Sequence, residues 1–373
     1  MQSVSQRLIR KTPIVSSPAK PSRPNRGAFS LIELMIVITI IAILMSLLLV
    51  GVRGAMGTAR NATVTVEFKN IEKGIADFKA KFGAEPPSRI LLCEDVNDWT
   101  TPTGTYPDGF SAVDISRSRA LLRQIWPDFD LVAAADNSDD RDINGDGDDD
   151  DFIGLTGAEC LVFFLGGVPE QTGNTETPWE LQGFSANPES PFSRGGARVG
   201  PFHDFDAGRL RNLSEDSANP VSMPEYLDSL PGQRSPILYA SSYGGKGYRN
   251  ADLWLDVPPG PGPVPVTYNA YNRYATVPTG FAWYYRRYTG GAPATVAAFT
   301  DAPAFNPKTF QLISPGSDGE YGLGGMLNTG MELGEAIRKE PTPAPWSPPT
   351  TYDNSARAYE RDNITNFKGG TIN

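Results

Sequence analysis

Residues 27–52 read GAFSLIELMIVITIIAILMSLLLVGV, and the rest of the chain is best read outward from them. Leu34 to Val52 are 19 residues without a charge, long enough to cross a membrane as a helix. One carboxylate, Glu33, stands at the start of this segment. A carboxylate at the edge of a lipid-facing helix is costly and usually functional. Upstream, residues 1–28 carry Arg7, Arg10, Lys11, Lys20, Arg23 and Arg26 and no acid. A basic leader, one acid and one apolar helix thus follow one another in the first 52 residues.

The protein has 373 residues and a formal net charge of −10. The leader holds six of the basic residues, which leaves 27 basic against 43 acidic residues in the remainder. That balance speaks against nucleic-acid binding, which needs a basic face. By the positive-inside rule the N-terminus stays cytoplasmic and the long C-terminal part is exported. The leader differs from a secretory signal, because 19 apolar residues exceed a usual signal core and the pattern runs on as helix. An uncleaved signal anchor is the plain alternative. Two cysteines occur, Cys93 and Cys160. In an exported domain they form either one disulfide or two buried thiols.

Beyond the apolar segment, Val64, Phe68, Ile71, Ile75, Phe78 and Phe82 recur at spacings of four and three. This predicts an amphipathic continuation of the helix. Glu67, Lys69, Glu72, Lys73, Asp77, Lys79 and Lys81 are expected on the outward face. Gly83 stops the helix and Pro86-Pro87 prevent its restart. A single helix over about 31–82 would be roughly 75–80 Å long at ~1.5 Å per residue.

Phe29-Ser30-Leu31-Ile32-Glu33, within GAFSLIELMIVITIIAIL, resembles the cleavage and methylation motif of type IV prepilins and type II secretion pseudopilins. The resemblance implies a peptidase cut on the cytoplasmic side, N-methylation of the new terminus and a Glu fifth in the mature chain. Phe29 as the first residue makes Glu33 the fifth, so the cut falls between Ala28 and Phe29. The family usually has Gly before the cut; here Gly27 stands one position earlier. The resemblance further implies that Glu33 pairs with the α-amine of a neighbouring subunit and sets axial register. Lys81 to Ser88, KFGAEPPS, also resembles the end of the pseudopilin helix.

The expected organisation follows: a basic prepilin leader over 1–28, the transmembrane half of the helix over 29–52, its amphipathic exported half over 53–83, and an exported head over 84–373. The fold class is α+β, pilin-like, with the long helix packed on a small antiparallel sheet with long loops. Strands are expected at Cys160–Leu165, Ile237–Ser242, Phe281–Tyr288 and Thr309–Ser314, and a short helix at Leu121–Trp126. Val257–Val266 and Pro341–Thr350 are Pro-rich and read as extended segments.

Two acidic loops invite a cation. Asp142, Asn144, Asp146 and Asp148, with Gly147 at the sixth position, match the first half of an EF-hand-type calcium loop. Position twelve is Ile153, so the match is incomplete, and a solvated acidic loop is the other reading. Leu312 to Gly322 resembles the Ser-x-Gly-x-Asp-Gly loop of G-type pseudopilins, which implies calcium at Asp318, with Glu320 beside it. The other reading is a Ser-Asp-Gly turn.

Enzyme signatures are missing. His203 is the only histidine, and no HExxH, Walker A or GxSxG motif occurs. Gly183–Pro188 (GFSANP) and Asp362–Phe367 (DNITNF) are distinctive loops without an assigned chemistry, and Trp283-Tyr284-Tyr285 with Arg286-Arg287 reads as a strand with a basic edge. The expected function is a structural filament subunit, not an enzyme. Its partners would be the prepilin peptidase and methylase, copies of itself and other pseudopilins, and an inner-membrane assembly platform. Competing readings are a membrane-anchored enzyme or calcium-binding module, and an adhesive surface pilin.

Overall fold

The computed structural model describes residues 30–102, 104, 106–107, 110–131, 141–144, 149–170, 179–211, 223–248, 252, 286–288, 304–319, 321, 326–328 and 362–372. Two compact units are distinguished, Met1–Ala55 and Met56–Asn373. Helix α1 runs over Leu31–Phe82. Gly83 ends it with φ +75, a left-handed conformation that a side chain resists, and its N–H donates to Lys79 O at 2.8 Å.

The head is α+β. Strand β1 (Ile90–Cys93) pairs antiparallel with β2 (Phe152–Leu155), and α2 (Ala112–Ile125) packs on β1. Helix α2 starts well before the expected Leu121, because Ser111 and Asp114 form a capping box: Ser111 N–H donates to Asp114 Oδ2 at 3.0 Å.

Cys160–Leu165 corrects the sequence expectation. These residues lie in α3 (Gly157–Gly166), not in a strand. An apolar run of this length suits a buried strand or a buried helix equally. Thr156 and Glu159 decide it, with Thr156 N–H donating to Glu159 Oε2 at 2.9 Å at the helix start. Every residue of α3 is buried, as an all-round apolar helix requires.

Short antiparallel pairs follow: β3 (Pro169–Glu170) with β4 (Glu180–Leu181), β5 (Phe184–Ser185) with β6 (Arg198–Val199), and β7 (Leu210–Arg211) with β8 (Glu225–Tyr226). Among the described residues the largest sheet has four antiparallel strands. It contains β9 (Leu238–Ser241), β11 (Phe310–Ser314), β13 (Ile364–Thr365) and β14 (Gly370–Thr371), in the order β14-β13-β11-β9. Strands β10 (Arg286–Tyr288) and β12 (Met326–Asn328) pair in parallel. The expected strands at Ile237–Ser242 and Thr309–Ser314 are thus β9 and β11. For Phe281–Tyr288 only Arg286–Tyr288 is described; Trp283-Tyr284-Tyr285, Val257–Val266 and Pro341–Thr350 lie outside the described residues.

One core unites these parts. Val64, Phe68, Ile71, Ile75 and Phe78 of α1 are at most 1 % exposed and share a cluster with α3, Tyr239 and Leu312. Phe78 meets Phe164 of α3 with ring centroids 5.8 Å apart, and α3 in turn packs on β8 and β9. The helix therefore reaches the sheet through α3. The two cysteines are free and buried, Cys93 on β1 and Cys160 in α3. Burial pushes both thiols up, which keeps them unreactive.

Both distinctive loops prove architectural. Gly183 (φ +70) lies against Gly167 (φ +94), where a Cβ on Gly167 would sit 2.1 Å from Gly183 Cα. Phe184 next to it is fully buried among Phe163, Trp126 and Phe192. Asp362–Phe367 supplies β13, and Asn366 Oδ1 accepts from Leu312 N at 3.0 Å.

Candidate functional site

The first unit offers a helix that is apolar on every side. Leu31, Ile40 and Leu47 are 75, 51 and 67 % exposed, and α1 is long and apolar enough to cross a membrane. Its two internal hydroxyls turn back onto the helix: Thr39 Oγ1 donates to Met35 O at 2.7 Å and Ser46 Oγ to Ile43 O at 2.8 Å. That removes their polarity from an apolar surrounding.

Glu33 sits in the first turn of this helix. Its Oε2 accepts the Ser30 N–H at 3.0 Å, three residues earlier. The carboxylate thereby satisfies a helix-start donor and meets the positive end of the helix dipole. The Ser-x-x-Glu spacing of Ser30 and Glu33 is a capping signature readable in the sequence, beyond the register role expected of Glu33. The expected processing residues Gly27, Ala28 and Phe29 lie outside the described residues.

In the second unit α1 is held by a polar clamp as well as by its apolar stripe. Glu67, expected on the outward face, is only 9 % exposed. It forms an ion pair with Arg209 and accepts Ser229 N–H at 3.3 Å. The Arg209 guanidinium stacks 4.5 Å over the Tyr226 ring. The partners lie 142 residues apart, so no local pattern announces them. Lys69–Glu72 and Lys73–Asp77, each at 2.7 Å, are surface pairs on the expected outward face. His203 packs edge-on against Phe205, with centroids 4.5 Å apart, and burial lowers its pKa.

The first acidic loop is described at its flanks. Asp142 lies 3.8 Å from Arg194, and Asn144 Nδ2 donates to Asp151 Oδ2 at 3.1 Å. Asp146 and Asp148 lie outside the described residues. Glu94 on the far side is fully buried and was not a sequence candidate. Its carboxylate accepts the backbone N–H groups of Ile143 (2.6 Å), Asn144 (3.2 Å) and Asp151 (3.3 Å), and so ties both ends of the loop together. Burial nevertheless pushes its pKa up to about 8, against those three donors.

In the second loop Asp318 is exposed and its backbone N–H donates to Asp362 Oδ2 at 3.0 Å. Asp362 also accepts the N–H and hydroxyl of Ser317, at 2.6 and 2.7 Å. The carboxylate organising this turn is therefore Asp362, while Glu320 lies outside the described residues. Among the described residues no group of three or more His, Cys, Asp or Glu side chains converges as a metal site.

The family model of the prokaryotic N-terminal methylation motif matches residues 23–49. The chain carries the type IV prepilin and pseudopilin signature. No curated protein and no solved structure matches the chain. The signature implies processing by a prepilin peptidase and assembly with other pilins, points to a structural subunit, and with the apolar helix supports anchoring in a membrane.

Proposed function

We propose that this protein is a subunit of a type II secretion pseudopilus or a related type IV pilus-like filament. The basic leader stays cytoplasmic, the head is exported across the inner membrane, and the peptidase cuts between Ala28 and Phe29. Phe29 is methylated on its new α-amine. Subunits then pack through the apolar half of α1, drawn from the membrane by an assembly platform, with Glu33 setting the register.

The observation that carries this reading is the placement of Glu33 in the motif at 23–49, on a helix whose other faces are uniformly apolar. In a membrane or filament interior an unpaired carboxylate is strongly penalised. Ser30 N–H occupies Oε2 and leaves Oε1 for the α-amine of a neighbouring subunit. Intact mass and N-terminal sequencing of the membrane-extracted protein test the proposal. A chain starting at N-methyl-Phe29 supports it. A chain starting at Met1, or one cut after residue 50, would overturn it in favour of a signal anchor or a secreted protein.

The same proposal includes calcium at the Asp142–Asp148 segment. Its support is the alternation of oxygen donors and the anchoring of both flanks on Glu94, which shortens the chain's conformational search for a cation. Calcium titration followed by thermal melting checks it: saturable stabilisation that Asp146→Asn weakens is expected, and an unchanged melt would remove the metal from the proposal.

A further inference from the structure

Opposite charges lie at the two ends of β1. At one end is a cleft of about 250 Å³, lined by Pro87, three residues before the strand. Lys79 from the last turn of α1, Arg117 from α2 and Lys246 from the turn after β9 also line it. Lys79 is 2.9 Å from Glu85 and Arg117 is 3.2 Å from Asp114, so three cations meet two carboxylates. That reverses the balance of the chain after its leader, where 27 basic residues face 43 acidic ones. The cations are also within reach of a partner: the Lys79 and Arg117 side chains are 51 and 39 % exposed, and Lys246 is exposed.

At the other end of β1 stands Glu94, directly after Cys93. It accepts the N–H groups of Ile143 and Asp151, which fixes the flanks of the acidic segment there. Asp149 and Asp150 on that flank are exposed, just before β2, whose Phe152 pairs with Cys93. The four residues of β1 span about 13 Å at ~3.3 Å per residue. One head therefore presents a cationic cleft on one side of this strand and an acidic tip on the other.

We propose that the cleft of one subunit receives Asp149 and Asp150 of the next. This contact rests on the filament reading and adds a head-to-head link to the packing of α1. Subunits drawn from one membrane share one orientation, so the contact is heterologous, the kind that propagates into an open helical filament. Its charges steer the heads into alignment and repel the wrong juxtaposition, cleft on cleft or tip on tip.

The test uses two differently tagged full-length copies expressed together, one with Lys246→Cys and the other with Asp149→Cys. Cys93 and Cys160 are buried and stay out of the reaction. Mild oxidation of the filaments is expected to give a disulfide-linked dimer carrying both tags. Lys246→Glu is expected to lower filament yield at least about tenfold with an unchanged melting temperature. Adding Asp149→Lys and Asp150→Lys to Lys246→Glu is expected to restore the yield. Wild-type filaments without the mixed-tag dimer, or an undiminished yield in Lys246→Glu, would overturn the contact and leave the filament reading standing. A wild-type chain that forms no filaments would overturn both.

Discussion

Leu31–Ala55 and Met56–Phe82 run through one helix, α1, but meet their surroundings differently. In the first stretch apolar side chains point to every side and stay exposed: Ile36 is 53 % and Leu44 60 % exposed. In the second, one stripe is buried at 1 % or less while lysines and acids cover the outward face. A helix apolar all round needs an apolar solvent or copies of itself, whereas a stripe needs only its own head. On the proposed filament reading, the stretches separate assembly from folding within one element.

The sharpest way to break that separation is Glu33→Leu. Filaments recovered from cells should disappear, while the head melts as in the wild type. A shifted melt would show that Glu33 serves folding instead. Phe78→Ala acts on the other stretch. It removes a ring packed on Phe82, Phe164 and Phe202 and should destabilise the head by about 3–5 kcal/mol in chemical denaturation. The matched truncation Leu44→Ala should leave that midpoint unchanged.

Glu94 sharpens the comparison through pH. Its folded pKa of about 8 lies above the ordinary carboxylate value, so the folded state holds a proton that the unfolded chain releases. Its contribution is then present below about pH 4.5 and lost as pH rises toward 8. Melting at pH 5 and pH 8 should show the decline, and Glu94→Gln should flatten it. The smallest effect is expected at the clamp. Glu67→Ala leaves Arg209, which is 27 % exposed, with Asp206 and Leu227 O as partners, so a loss of about 1–2 kcal/mol is expected in urea.

Much of α1 was legible because its signals are local. The 4-3 spacing from Val64 to Phe82 marks the buried face, and Gly83 ends the helix with the left-handed φ that its type permits. Cys160–Leu165 reads as a strand because burial erases periodicity, although Thr156 and Glu159 flank it with a helix-start pattern. Glu67 reads as outward-facing because its helical position is polar and its partner is remote. Asp362 stands in a distinctive segment, but its carboxylate acts on Ser317 and Asp318, 45 and 44 residues away.

The order of residues alone determined the apolar helix, its single acid, the register of the methylation motif and the amphipathic stripe, because each depends on neighbours within a few turns. Tertiary structure decided that α3 is a helix bridging α1 to the sheet, that Cys93 and Cys160 stay unbridged, and that Glu94, Asp362 and Arg209 hold the loops and helix in place. The physical reason is range: these carboxylates and guanidinium act on backbone and side chains brought together only when the core closes, and nothing in their local sequence encodes the partner.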